Sequence, residues 1–192
     1  MIGTKERIEK ALPSIGEKLG RTNRLSLPRL VKVVVSSGTG RAKDKTRNEH
    51  VAKRLAIITG QKASPRRAKQ SIASFKLREG DVIGYAVTLR GARMYAFLDK
   101  LIHASLPRTK DFKGVSSTGV DEVGNLTIGI KEHTIFPETA DEELRDIFGL
   151  AVTVVTTAHT REEARVLFDV IGVPFSKTSA VKQKVLRKKG KK

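Results

Sequence analysis

Apolar and polar residues alternate most clearly along IGYAVTLR, where Ile83, Tyr85, Val87 and Leu89 fall on one side of an extended chain and Gly84, Ala86, Thr88 and Arg90 on the other. The first side reads as core. The second is small and polar, a surface suited to a ligand or an RNA backbone rather than to a covering helix. Leu126, Ile128 and Ile130 alternate in the same way with Thr127, Gly129 and Lys131, and AVTVVTTA from Ala151 reads as a threonine-rich strand. After Pro28, the β-branched run RLVKVVVSSGTG predicts a strand that ends in a turn at Gly38 and Gly40.

Helical spacing governs the rest. Ile8, Leu12, Ile15 and Leu19 predict an N-terminal helix, short or broken because Pro13 falls inside it. A second helix is expected at about 43–59, with Val51, Leu55 and Ile58 on one face and Gly60 just past its end. Gly91 opens a third, whose Met94, Phe97, Leu98, Leu101, Ile102 and Ser105 recur at helical intervals until Pro107. A short acidic helix is expected at about 139–147. Thr160 and Glu163 form a capping box for a last helix that buries Ala164, Leu167, Phe168 and Ile171.

Helices and strands mixed in this order predict an α+β fold: a single domain over 1–175 in which a largely antiparallel sheet packs against helices. Two basic segments stand apart from it. SPRRAKQSIASFKLREGDVIG, at 64–84, reads as a long basic loop leading into the alternating strand, and 176–192 as a flexible basic tail.

Charge narrows the function. The 38 Lys and Arg outnumber the 20 Asp and Glu, giving a formal charge of +18, far beyond what solubility asks of a small domain. Self-repulsion of that size opposes folding, so a polyanionic partner is expected, nucleic acid first and an acidic membrane surface second. No cysteine is present, which removes disulfides, thiolate zinc sites and cysteine nucleophiles and fits a reducing compartment. No apolar run approaches the ~20 residues of a membrane-spanning helix, and MIGTKERIEKAL lacks an apolar signal core. A cytoplasmic protein with no membrane partner is the default expectation, and a mature organellar chain would read the same way. The glycosylation pattern at Asn125-Leu126-Thr127 is then an accident of a strand.

Catalytic constellations are wanting. His50, His103, His133 and His159 lie in separate elements without metal-ligand spacing, and His50 and His103 read as helix-surface residues. Gly38-Thr39-Gly40 follows a strand and precedes a helix, yet Lys43 stands where a dinucleotide fingerprint needs its third glycine. It is either a plain strand-end turn or a set of exposed amides near a phosphate backbone. Asp141, Glu142 and Glu143 are explained by the helix dipole. No serine stands in a G-x-S-x-G elbow, and no cofactor is expected.

The basic residues, by contrast, cluster: Lys62, Arg66, Arg67 and Lys69 come in one run, Lys76 and Arg78 follow, and only Glu79 and Asp81 at the far end compensate them. This pattern favours phosphate contact over a merely solvated surface. Aromatic residues are few and mostly at core positions, with Phe75 the one candidate for base stacking, so recognition of folded RNA by shape and backbone is expected.

In order along the chain, VKVVVSSGTG, ITGQK, KQSIASFKLREGDVIGYAVTLRG, MYAFLDKLIHASLPRTKDFKG, GNLTIGIKEHTIFPE and GLAVTVVTTA resemble the bacterial-type large-subunit ribosomal protein five family. The resemblance runs from about Pro28 to Phe175. It implies a structural, non-enzymatic RNA-binding protein that holds 5S ribosomal RNA in the central protuberance. It places 5S contacts at Lys32, Ser36, Gln61 and Thr88. Ser36 departs from the family's usual asparagine, a shorter group without the amide's two donors, for which Ser37 is a candidate to compensate.

The resemblance further implies that the 66–80 loop, with Arg66, Arg67, Lys69, Lys76 and Arg78, reaches toward P-site transfer RNA. The surface around Asp111 to Gly119 and the acidic helix would face a small-subunit head protein across an intersubunit bridge. Large-subunit ribosomal RNA and neighbouring central-protuberance proteins complete the expected partners. Two other classes stay open on the residues alone: a sequence-independent nucleic-acid architectural protein, which the charge would allow, and an RNA-modifying enzyme, which lacks an acid–base constellation.

Overall fold

A computed structural model describes residues 3–40, 45–110, 112–139 and 147–176. Four helices, α1 (Thr4–Leu19), α2 (Lys45–Thr59), α3 (Gly91–Lys100) and α4 (Arg161–Ile171), accompany five strands: β1 (Leu30–Gly38), β2 (Ser64–Arg67), β3 (Val82–Leu89), β4 (Leu126–Ile130) and β5 (Leu150–Thr156). The strands form one sheet in the order β2-β3-β1-β5-β4, and every neighbouring pair is antiparallel. This is the α+β architecture that the alternation predicts.

One face of the sheet carries the core. Val33 and Val35, Val87 and Leu89, Leu126, Ile128 and Ile130, and Leu150, Val152 and Val154 share a cluster with buried residues of all four helices. Each such side chain removed from water stabilises the fold by about 1.5–3 kcal/mol relative to exposure, so this face fixes the register of the whole sheet. α3 follows its pattern closely: Met94, Phe97, Leu98, Leu101, Ile102 and Ser105 are all buried, the last three on a wider π turn at Leu101–Ser105. A bulge in β1 between Leu30 and Lys32 leaves Val31 exposed. The extra residue lets Leu30 pack on the core while Lys32 joins the opposite face.

The N-terminal helix and the basic stretch depart from expectation. α1 runs unbroken through Pro13. The proline deprives the Glu9 carbonyl of its helical donor, but both residues are exposed and solvent can satisfy it, while Ile8 and Ile15 anchor the helix in the core. Residues 64–67, read as loop, form the edge strand β2, with Pro65 at the edge position where a missing N–H is tolerated. The rest of that basic stretch is a structured arm. Ala68 and Gly80–Asp81 exchange backbone bonds of 2.8 and 3.0 Å, Ile72 and Leu77 pair at 3.1 and 3.2 Å, and Lys76 turns the tip in the left-handed region at φ 51°. Side chains brace the arm further: the Glu79 N–H donates to Ser71 Oγ and the Arg78 N–H to Asp81 Oδ2, both at 2.9 Å.

α2 ends at Gly60 with φ 67°, as its pattern predicts, and its expected start at 43–44 lies outside the described residues. So do 140–146 of the expected acidic helix and 177–192 of the expected tail. At α4, Thr160 Oγ1 accepts from the Glu163 N–H at 3.3 Å, but the Glu163 carboxylate reaches the His159 N–H and Arg21 instead of closing the capping box on Thr160. Phe175 and Ser176 are pinned beside Val115, whose N–H donates to Pro174 O and whose carbonyl accepts from the Ser176 N–H.

Candidate nucleic-acid interface

The second face of the sheet has no helix packed on it among the described residues. Its positions follow from register. Lys32, Val34, Ser36 and Gly38 on β1 lie beside Gly84, Ala86 and Thr88 on β3 and beside Ala151, Thr153 and Val155 on β5. Ser64 and Arg66 extend the face on β2, and Thr127 and Gly129 on β4. No Asp or Glu occupies any of these positions. A face built of Gly, Ala, Ser, Thr and Val, with cations and no acids, is too polar and too shallow to bury a second layer. It suits a large, rigid polyanion whose backbone comes close to the strands.

The structure brings three of the expected 5S contacts together. Ser36 pairs with Ala86 and Val34 with Thr88, so Thr88 lies diagonal to Ser36, ~7–8 Å away. Lys32, two residues before Val34, stands on the other side of Thr88. All three are half-exposed. Gln61 is half-exposed on the link from Gly60 into the edge strand β2, and its backbone carbonyl accepts from Thr59 Oγ1 at 3.2 Å. Ser37 cannot compensate for the shorter Ser36. It faces the opposite side, is 5% exposed, and its hydroxyl donates to Gly149 O at 2.8 Å.

The five expected transfer-RNA contacts divide between two settings. Arg66 and Arg67 belong to β2, and Arg66 pairs with Gly84 on the open face. Lys69, Lys76 and Arg78 are exposed on the arm beyond the sheet. The arm also carries Phe75, 69% exposed, and Ile72, 42% exposed, so its tip is apolar between cations. Phe75 is thus exposed, while Phe97, Phe136, Phe148 and Phe168 are buried.

Elsewhere the polar chemistry is structural. His50 and His103 are half-buried rather than on the helix surface. His133 is fully buried, stacks on Phe148 with centroids 4.0 Å apart, and accepts the Phe148 N–H on Nδ1 at 3.3 Å. No cluster of three potential metal ligands occurs among the described residues. At the turn before β4, burial is the largest single influence on Asp121 and pushes its carboxyl up. The backbone and side-chain bonds from Asn125, with those from Val123 and Gly124, together outweigh it and hold the carboxyl below its usual range. Asn125 Nδ2 is thereby engaged with Asp121 Oδ2 at 3.0 Å.

Comparison with known proteins gives the family. The model described as Ribosomal protein L5 matches residues 23–78, and the model for the C-terminus of the same ribosomal protein family matches residues 82–175. Two relatives named large ribosomal subunit protein uL5, from Streptococcus pyogenes serotype M49 (strain NZ131) and serotype M5 (strain Manfredo), are 46% identical over 169 residues. The alignment covers 88% of this chain and 94% of each relative. The chain, with its open-faced sheet and basic arm, therefore belongs to the L5 family of ribosomal proteins.

Proposed function

We propose that the chain, a structural and non-enzymatic constituent of the large ribosomal subunit in the cytoplasm, holds 5S ribosomal RNA on the open face of its sheet. The observation that carries this reading is the acid-free face on which Lys32, Ser36 and Thr88 converge, with Gln61 at its edge. Lys32 supplies a phosphate contact. The hydroxyls of Ser36 and Thr88 can both donate and accept, which matches the 2′-hydroxyls displayed by the shallow minor groove of an RNA helix. Gln61 adds an amide donor and acceptor.

The arm works at a distance from that site. Lys69, Lys76 and Arg78, with Arg67 at the root, offer cations to P-site transfer RNA, and the paired strands below hold the arm's direction. The loop at 112–119 faces a small-subunit head protein, and neighbouring ribosomal RNA and proteins of the central protuberance surround the rest.

Competition binding at fixed salt tests the reading. 5S ribosomal RNA is expected to exceed transfer RNA and duplex DNA by ~10³ or more, the usual margin of specific over non-specific recognition in protein–DNA systems. Equal affinities would reject the assignment in favour of a sequence-independent nucleic-acid binder. Thr88→Ala and Gln61→Ala are expected to weaken 5S binding with the salt dependence unchanged, since neither removes a charge.

A further inference from the structure

The sheet order places two cations at opposite edges of the sheet, Arg66 on β2 and Lys131 just past the end of β4. Arg66 pairs with Gly84, and Gly84 with Gly38 on the open face. On the other side of β1, β5 and β4 pair as far as Leu150↔Ile130, after which the pairing slips by one residue and the His133 N–H donates to Phe148 O, so Gly149 and Lys131 lie just past the strand ends. Five strands at ~4.8 Å each set the two edges roughly 19 Å apart.

The cations carry the inference. Both are exposed, and neither forms an ion pair with a described residue. Lys131 borders a shallow depression of about 520 Å³ at the end of the sheet, lined by Ser36, Gly38, Gly129 and Ala151 of the open face as well as by Ser37, Ile130 and Leu150. It also lines the groove beyond β4 together with Glu132, the nearest acid in sequence, and so stands at the rim between the two. Of the glycines between, Gly84 is required by strand packing, since a Cβ there would stand 2.7 Å from Ser37 O, whereas Gly38 is not. At Gly38 a Cβ would meet nothing within 4 Å and the backbone is not left-handed, so the chain's own packing does not require a glycine there.

We infer that Arg66 and Lys131 are phosphate contacts at the two edges of the sheet face, and that an RNA backbone crosses the sheet between them. This rests on the 5S reading, and it moves Arg66 from the arm's work to the sheet's. It also extends the RNA footprint from β1 and β3 over β5 and β4. Each contact releases counterions on binding, so each cation adds ~0.7–0.9 to the slope of log affinity against log salt.

The test measures 5S RNA binding by the full chain across a salt series. Arg66→Ala and Lys131→Ala are each expected to lower that slope by ~0.7–0.9 and to weaken binding about five- to eightfold near 0.1 M salt. Arg66→Lys and Lys131→Arg should restore the slope, which a merely structural effect would not do. If only one alanine variant changes the slope, the crossing is rejected, because it needs both ends. Should both leave the slope intact while Thr88→Ala still weakens binding, the anchors are wrong and the sheet-face reading stands. If Thr88→Ala is silent too, the 5S site itself is wrong.

Discussion

Two glycine-to-alanine changes, one strand apart on the same face, separate folding from RNA binding. Gly38 and Gly84 are register partners, yet their surroundings differ. A Cβ at Gly38 would enter open space, whereas one at Gly84 would stand 2.7 Å from Ser37 O, closer than real Cβ atoms come. Gly38→Ala should therefore stabilise the fold, since a strand glycine costs ~0.5–1 kcal/mol relative to alanine. At ~2–4 °C per kcal/mol for a chain of this size, the melting temperature should rise by about 1–4 °C. Gly84→Ala must shift the β1 backbone and should cost ~1–3 kcal/mol, as overpacking does. If RNA lies on the face, the added methyl at Gly38 should still weaken 5S binding tenfold or more, equivalent to ~1.4 kcal/mol. The assay pairs thermal unfolding with 5S titration on both variants. A destabilised Gly38→Ala would show that the face is not open, and a stabilised variant with undiminished 5S affinity would show that RNA does not lie there.

Two further changes probe the scaffold. Lys100 Nζ donates to Ile58 O at 2.7 Å and to Glu138 at 2.6 Å, joining α3 to the end of α2 and to the turn after Phe136, so Lys100→Met should cost ~1.5–3 kcal/mol, typical of hydrogen bonds to charged groups. Urea unfolding checks this, and a change within ~0.5 kcal/mol, the range of ordinary surface substitutions, would show that the tie is idle. Because the folded Asp121 carboxyl titrates below its unfolded counterpart, its contribution is present above the unfolded value and is lost as pH falls through the folded one. Asp121→Asn should accordingly be less stable than the parent at pH 6 and converge with it in strong acid; a difference that stays constant from pH 6 to pH 2 would contradict the assignment.

Much of the fold was legible because burial writes its period into the chain. Tyr85, Val87 and Leu89 face inward and Gly84, Ala86 and Thr88 outward as their alternation predicts, and α3 buries each residue of its apolar stripe. β2 escaped notice because it is four residues long, exposed throughout and contains Pro65, so it leaves neither alternation nor apolar content to read. Pro13 misled because a helix interior tolerates proline when the freed carbonyl meets solvent and the opposite face is anchored. His133 gave no signal, since its role depends on Phe148, distant in sequence. The layout of the candidate face was not legible from residue types. Whether Ser37 could assist Ser36, and whether Arg66 belongs to the arm or the sheet, depend on register and on the Val31 bulge, which are non-local.

Lysine-acetylation footprinting of the free chain and of its 5S RNA complex tests the central claim most directly. Lys32 lies on the open face and Lys131 at its rim, whereas Lys10, Lys18 and Lys53 are exposed on α1 and α2 in the helical layer. Binding is predicted to protect Lys32 and Lys131 and to leave Lys10, Lys18 and Lys53 as reactive as in the free chain. Protection of the helical lysines, with Lys32 still reactive, would place the RNA on the wrong side of the sheet and contradict the account.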